Sequence, residues 1–495
     1  MDWLNTIDAN TTVLVPTRGL QHSLQQRYAE QQLAAGHSVW ETPKICVWED
    51  FIDQLYQLNK ARLGEPKALI SDAQSFLIWQ QVIAKSKKSE DTLTLLNEPQ
   101  TASAVQRSWK LLNKWRVEEA KITQRDDADS IMFQQWCEAY QERLRGGSMM
   151  DTAQRERILI DHLSSTHSSI NGLTKKIILA FFDLQTSNQR HLISVCEAKG
   201  IELEQVAHSP QQQMTQYHYY QRADDEIIQV LSAARQHLEA NPQSKIGIVI
   251  PDLSQRRQEI ENQAKQVFYP SRSPLEAQSE DAAYRFSLGH SLRDIPYISA
   301  TLQLLNLLKP TFRFQEISYL LRCQWLPIGR EHAQDVLLFL RGLKKSRTVY
   351  WSWETLLEKS IDVFSSNVSQ DKESDEAHAL TQLFQRCIVF RAEWLSADLE
   401  HADSEQSLAN KTKTTQQWQA IFQEWLKLFA WDDNEIDSYH YQAQQSWQSV
   451  QETFISFDQV QLPIGLNRAL QQLQTLCSEA VYCLLYTSPS PRDRG

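Results

Sequence analysis

Asp183 stands at the end of the most apolar short run in the chain, Lys175–Phe182, KKIILAFF. A carboxylate at the end of a buried strand can hold a divalent cation, and a second carboxylate beside it can position an attacking water. Leu184 occupies that second place, and a lone Asp after a strand also reads as a helix cap or turn residue. The phosphate cradle that would complete a nucleotide site, GxxxxGK[ST], is missing, because none of the 13 glycines is followed by lysine. Pro251-Asp252 spells the PD of a metal-dependent nuclease site. Such a site needs a (D/E)-x-K on the next strand so that two carboxylates and a lysine converge on one metal. A helical pattern follows instead. Glu119-Ala120-Lys121 has the spacing but lies upstream in a helical stretch, so Asp252 reads as a helix cap. The 13 histidines show no HxxxH or HExxH pattern and the seven cysteines no CxxC, so no residue is assigned to a metal.

The elements that must position these residues are two strand–proline–helix units. The first is Thr12–Gln26, with strand Val13-Leu14-Val15, then Pro16, then a helix continuing to Leu33 and stopped by Gly36. The second is Lys245–Arg257. Gly247–Ile250 reads as a buried parallel strand, apolar on both faces, and Pro251 ends it. Asp252 or Ser254 can cap the helix Gln255–Val267. An amphipathic helix, Asp224–Asn241, precedes it with Ile227, Leu231, Ala234 and Leu238 on one face. Between the units, Val39–Leu58 suggests a short strand and a helix, and Ser71–His162 is helical in period with a break at Gly146-Gly147. Ser187–Glu197 reads as a helix, Gly200–Leu203 as a short strand, and Tyr217–Tyr220 as the strand entering the second unit. Past the polar loop Ser271–Ala283, Phe286–Gly289 reads as a short extended piece. Asp294–Tyr482 is almost entirely helical, with polar gaps expected to be mobile at Val368–Glu376 and Glu400–Thr415.

With 495 residues, core size is no constraint and two to four domains are expected. Fifteen tryptophans against 13 glycines favour large helical layers over loop-rich structure. The net charge of −11 excludes a general polyanion binder, so any nucleic-acid contact must come from a local basic patch. Scattered cysteines fit reduced thiols in a cytoplasm. No signal peptide or long apolar run is present, which argues against a secreted or membrane-spanning chain. From Cys483 the sequence reads CLLYTSPSPRDRG, which resembles translated sequencing-adapter read-through more than a natural Ser/Pro tail. The expectation is that this tail carries no structure and that the natural protein continues past Tyr482.

The order of these pieces is similar to a known group. Val15-Pro16-Thr17-Arg18, IILAFFD, Ala223-Asp224-Asp225-Glu226-Ile227, Ile248–Asp252, and Ser287-Leu288-Gly289 with Leu292 and Pro296 resemble the helicase-like part of RecB/AddB-type DNA-repair proteins. More narrowly, they resemble a bacterial family that ends in a PD-(D/E)XK nuclease domain. The resemblance spans Thr11–Tyr482 and rests on order and spacing, since no single piece is a catalytic signature. It implies an α/β fold with P-loop NTPase, superfamily 1 helicase-like lobes built on parallel sheets and interrupted by large all-α insertions. The first lobe would comprise residues 1–60 and 171–215, with a helical insertion at 61–170. The second lobe would be 216–290, with an insertion at 291–482 and the foreign tail at 483–495. Asp183 would mark a degenerate Walker B position.

The resemblance also gives the DNA-facing candidates. The loop after the first strand meets single-stranded backbone in helicase-like folds, which points to Thr17 as a hydroxyl donor and Arg18 as a cation for phosphate. Arg256 and Arg257 open the helix after the second strand, near its positive end. Each can equally be a solvated arginine in a helix's first turn. The runs Lys85/Lys87/Lys88 and Lys344/Lys345/Arg347 read as solvated faces or further contacts. Trp40, Trp48, Trp325, Trp351 and Trp353 lie near predicted loops and could stack on bases. Trp109, Trp115, Trp136, Trp418 and Trp425 sit at helical spacing and read as core. The expected function is a non-hydrolysing, helicase-like scaffold in DNA repair that holds single-stranded or end-resected DNA. It needs no cofactor in this chain; Mg²⁺ enters only with the missing nuclease domain. A protein–protein scaffold binding a repair partner subunit is the alternative. A positive cleft between the two α/β units would favour DNA.

Overall fold

The computed structural model describes the chain apart from residues 1, 9, 64–66, 87–96, 118–126, 166–170, 208–215, 271–283, 285, 288, 347, 366–378, 396–411, 432–437 and 483–495. The two polar gaps expected in the second helical region and the adapter-like tail therefore lie wholly or mostly outside the described residues. It is mostly helical, with one four-stranded parallel sheet.

The sheet is built as its sequence dictates. β1 (Thr11–Val15) leads into α1 (Arg18–Ala34), and the helix ends two residues before Gly36, whose φ of 83° suits a residue without Cβ. β2 (Lys44–Val47) leads directly into α2 (Trp48–Asn59). The chain then leaves the sheet as a helical insertion: the two-residue strand β3 (Ala68–Leu69), α3 (Asp72–Ser86), α4 (Glu98–Trp115), α5 (Ala128–Gly146), the short β4 (Met149–Met150) and α6 (Thr152–Ser165). β3 and β4 pair with each other, closing the insertion near both its ends. The chain re-enters the sheet as β5 (Lys176–Ala180), α7 (Ser187–Ala198) and β6 (Glu202–Val206). Strand order is β2-β1-β5-β6, all parallel.

Alternating side chains of the central strands feed two apolar clusters. Val13, Val15, Ile178 and Ala180 pack with Leu24 and Tyr28 of α1 on one face. Leu14, Ile177 and Leu179 pack with Phe51 and Leu55 of α2, Leu159 of α6 and Leu192 of α7 on the other. Both faces are covered, which is why β1 and β5 read as continuous apolar runs.

The insertion is organised around Asp151. This carboxylate is buried and accepts hydrogen bonds from Trp109 Nε1 (2.8 Å), the Tyr140 hydroxyl (2.9 Å) and the Gln154 amide (2.8 Å). Trp79 stacks on Tyr140 with centroids 3.9 Å apart. Asp151 thus ties α4, α5 and the start of α6 together. Burial pushes its pKa up, against the pull of the three donors.

The second α/β unit departs from expectation. Its helices are present as α8 (Ala223–Ala240) and α9 (Leu253–Phe268), packed through Ile227, Leu231, Ile260 and Ala264. The buried strand between them is not. Residues 245–250 pair with no described strand, and Val249 is 92% exposed. Tyr217–Tyr220 also forms no ladder, with Tyr219 92% exposed. The expected pair of parallel sheets is therefore corrected: among the described residues only the first unit carries one, and the second unit has no strand in any ladder. The physical reason is the absence of a described neighbour. An apolar strand is buried by flanking strands and a second layer, and here only the α8–α9 layer lies against it.

The helix geometry still forces this stretch to be drawn out. Arg256 reaches Asp224 at 3.2 Å and Arg235 donates to the Val267 carbonyl at 2.6 Å, so α8 and α9 run parallel and in step. The connection must return the length of α8, about 26 Å for its 18 residues. It does so between turns at Asn241–Ser244 and Ile250–Leu253. Even fully extended, at roughly 3.3 Å each, the residues between the turns cover only about 20 Å of that length, and the turns supply the rest.

The remaining chain is a helical lobe. It begins with β7 (His290–Ser291), α10 (Pro296–Asn306), β8 (Phe312–Arg313), α11 (Phe314–Leu321), α12 (Pro327–Glu331) and α13 (Ala333–Lys345). It continues through β9 (Tyr350–Trp351), α14 (Trp353–Ser365), α15 (Ala379–Leu395), α16 (Thr415–Leu428), α17 (Ser438–Ser456), α18 (Leu466–Glu479) and β10 (Val481–Tyr482). β10 pairs antiparallel with β7, so the two ends of the lobe meet. Its core is continuous with that of the first insertion. Gln74 on α3 donates to the Ser456 carbonyl at 2.8 Å and Gln81 to the Val460 carbonyl at 3.1 Å. The two helical insertions, distant in sequence, form one apolar body.

Candidate nucleic-acid interface

The carboxyl edge of the parallel sheet gathers the first group of candidate residues. The order β2-β1-β5-β6 makes β1 and β5 neighbours whose connections leave in opposite directions, with register Leu14↔Leu179. In open parallel sheets the crevice beyond such a pair is where ligands bind. Pro16, Thr17 and Arg18 follow β1 there, and Phe181 to Thr186 follow β5. Thr17, Arg18 and Asp183 are thus brought to one edge, although 165 residues separate Arg18 from Asp183 (183 − 18).

Their individual roles are narrower than their types allow. The Thr17 hydroxyl accepts from the Leu20 amide at 3.3 Å and caps α1. The Arg18 side chain is 74% exposed and pairs with Asp50 of α2 at 2.8 Å. Such exposed pairs contribute about 0–1 kcal/mol, so the guanidinium exchanges partners easily. The amides of Arg18 and Gly19 lie in the first turn, where an α-helix supplies no carbonyl for them. Asp183 is exposed and Leu184 beside it is 72% exposed. A single solvated carboxylate next to a leucine does not fit a metal site, and no cluster of three metal-ligating side chains occurs among the described residues. Asp183 is not the helix cap either. That place belongs to Thr186, which forms a capping box with Gln189.

Sequence reasoning missed three features of this edge. Asp50 neutralises Arg18, yet nothing in Trp48-Glu49-Asp50 marks it as a partner. Phe181 takes φ 64°, a left-handed conformation that is strained for a non-glycine residue, and its amide donates to the Val206 carbonyl at 2.7 Å. Arg116, at the end of α4, donates to Asn188 of α7 at 2.8 Å and to Asp161 of α6 at 2.6 Å. Its position depends on the helical insertion folding back over α7, which no local pattern encodes.

The second group lies elsewhere and is internally engaged. Arg256 Nη2 contacts Asp224 and Glu259, at 3.2 and 2.8 Å. The hydrogen bond with Glu259 raises the pKa of Asp224, and the Arg256 guanidinium lowers that of Glu259. Arg257 donates to the Gly289 carbonyl at 2.7 Å and lies over the Phe286 ring at 5.1 Å. These contacts tie α9 to α8 and to the entry of the helical lobe. Asp252 occupies the N-cap position of α9 but makes no capping hydrogen bond.

Several stacking candidates are corrected. Trp48, Trp351 and Trp353 are 4, 2 and 0% exposed and belong to the core. Trp353 Nε1 donates to the Leu307 carbonyl at 3.0 Å, and its ring meets Trp425 edge-on. Trp325 is partly buried against the same core. Trp109, Trp136, Trp418 and Trp425 are buried as expected, whereas Trp115, also expected in the core, is only half-buried at the end of α4. Lys85 ends α3 and Lys344 and Lys345 end α13; Lys87, Lys88 and Arg347 lie outside the described residues. No helix among the described residues is long and apolar enough to cross a membrane. No protein-family model matches this sequence, and no match to a curated protein was found.

Proposed function

We propose that this chain is a non-hydrolysing, helicase-like scaffold of the RecB/AddB type that holds single-stranded DNA by its backbone at the carboxyl edge of the parallel sheet. The observation that carries the reading is the convergence there of the α1 N-terminus and exposed Arg18 at the β1/β5 crevice. Helix amides and a mobile guanidinium suit phosphate oxygens. The sheet edge offers no phosphate cradle, and the exposed Leu184 stands where a second carboxylate would sit beside Asp183, so the reading includes no nucleotide turnover. Arg18 takes the contacting role, while Arg256 and Arg257 hold α9 in place. A nuclease activity with Mg²⁺, repair partners and a cytoplasmic site of action belong to the same proposal for the longer protein that the resemblance implies.

The test is fluorescence anisotropy of a labelled oligonucleotide across a salt series. The expected outcome is binding that weakens with salt, as released counterions demand, and that weakens further with Arg18→Glu. Arg256→Ala is expected to leave affinity unchanged. Undetectable binding at low salt would sink the DNA reading. A second reading, a protein–protein scaffold, is favoured by the exposed apolar side chains Ile246, Ile248 and Val249 on an acidic chain.

A further inference from the structure

We infer that the start of α7, with Arg116 beside it, is an oxyanion site that takes the oxygens of a phosphate group. Arg116 follows α4 in a left-handed conformation, φ 54°, and its guanidinium crosses to α6 and α7. Nε donates to Asn188 Oδ1 at 2.8 Å and Nη1 to Asp161 at 2.6 Å. Two donors at this junction are left over. Arg116 Nη2 and Asn188 Nδ2 are buried and have no hydrogen-bond partner among the described residues. Asn188 is 0% exposed, and a buried donor left unmatched costs about 1–3 kcal/mol, more when it is charged. Turning the amide over gives no relief, because its oxygen is needed by Arg116 Nε. What this junction lacks is an acceptor.

The helix adds to the same deficit. Asn188 is the second residue of α7, and the amides of Ser187 and Asn188 face no helical carbonyl. The capping box engages the amides of Thr186 and Gln189 instead. The positive end of a 12-residue helix, a guanidinium and a side-chain amide donor therefore share one junction. Arg190 reaches back to Ser187 Oγ at 3.4 Å and brings a second cation to the first turn. The opposing charges are Asp161, already held by Arg116, and Asp183 in the connection before α7; both are exposed and screened by water. The Arg116 side chain keeps 22% exposure, so the junction opens on that side. Asn188 is fully buried, so what reaches it is an oxygen and not a base or sugar. A phosphate suits both leftover donors, because one of its oxygens can accept from Nδ2 while another accepts from Nη2. The site belongs to α7 and does not depend on a strand being held at Arg18.

Thermal unfolding in inorganic phosphate against chloride at matched ionic strength tests this. The expected result is a midpoint that rises by about 2 °C for each tenfold increase in phosphate once the site is filled. Asn188→Asp keeps the oxygen for Nε, gives Nη2 the missing acceptor and places negative charge in the first turn of α7, so it should fold and lose the phosphate response. Arg116→Lys keeps a cation without the fork and should lose most of it; this variant decides alone if Asn188→Asp does not fold. No rise over chloride in the native chain would overturn the proposal. So would a rise undiminished in either variant, which is the mark of general salting-out by phosphate. Oligonucleotide binding measured with and without phosphate then names the source in a chain that shows the response. Competition marks a backbone phosphate, and independent binding marks a free phosphate group. A chain that responds to phosphate but binds no oligonucleotide keeps this site and loses only the DNA reading.

Discussion

Val13-Leu14-Val15-Pro16 and Ile248-Val249-Ile250-Pro251 are close to the same sequence, and the molecule treats them in opposite ways. The first is a central strand with Val13 and Val15 fully buried; the second leaves Val249 92% exposed. Both are apolar, both end at proline, and both lead into a helix. The difference lies in what surrounds them. β1 has β2 and β5 on either side and helices over both faces. The second stretch has one helical layer, α8–α9, and no described strand beside it. Apolar patterning states that a segment can be buried; neighbours decide whether it is.

The largest test of this contrast is a matched substitution. Val13→Asp puts an unpaired charge at a site 0% exposed, with an expected loss of about 3–5 kcal/mol. Val249→Asp should stay within about 0.5 kcal/mol in the same urea titration. Equal losses would mean that the second stretch is packed after all.

Next in size is the polar hub that braces the insertion beside the first sheet. Asp151→Ala strands the Trp109, Tyr140 and Gln154 donors, and the expected cost is about 2–4 kcal/mol. The carboxyl pKa is raised in the fold above its ordinary 3.8. The folded state therefore holds the proton more tightly than the unfolded chain. Its stabilising contribution is fully present below pH 3.8 and is lost as pH rises through the higher folded value. Unfolding midpoints of the native chain and of Asp151→Asn, compared upward from pH 3.8, should show this decline in the native chain and not in the variant.

The smallest effects compare the helix starts. Thr186→Ala removes a capping box at α7 and should cost about 1 kcal/mol, whereas Asp252→Ala removes no capping bond at α9 and should cost only a few tenths. Thermal unfolding resolves the pair, and similar shifts would erase the distinction between the two units.

Much of this molecule is written locally. The first strand and helix, the stop at Gly36, β5 with α7, the helices flanking 245–250, and the helical spacing of Trp109, Trp136, Trp418 and Trp425 follow from period, caps and breakers, which act within a few residues. What the tertiary structure decided is long-range. It left Ile246–Val249 bare, buried Trp48, Trp351 and Trp353 instead of offering them to bases, gave Arg18 to Asp50 and Arg256 to Asp224 and Glu259, and merged two distant helical insertions into one core. Burial and ion pairing depend on which surfaces meet, and a one-dimensional pattern records the capacity to be covered without recording the cover.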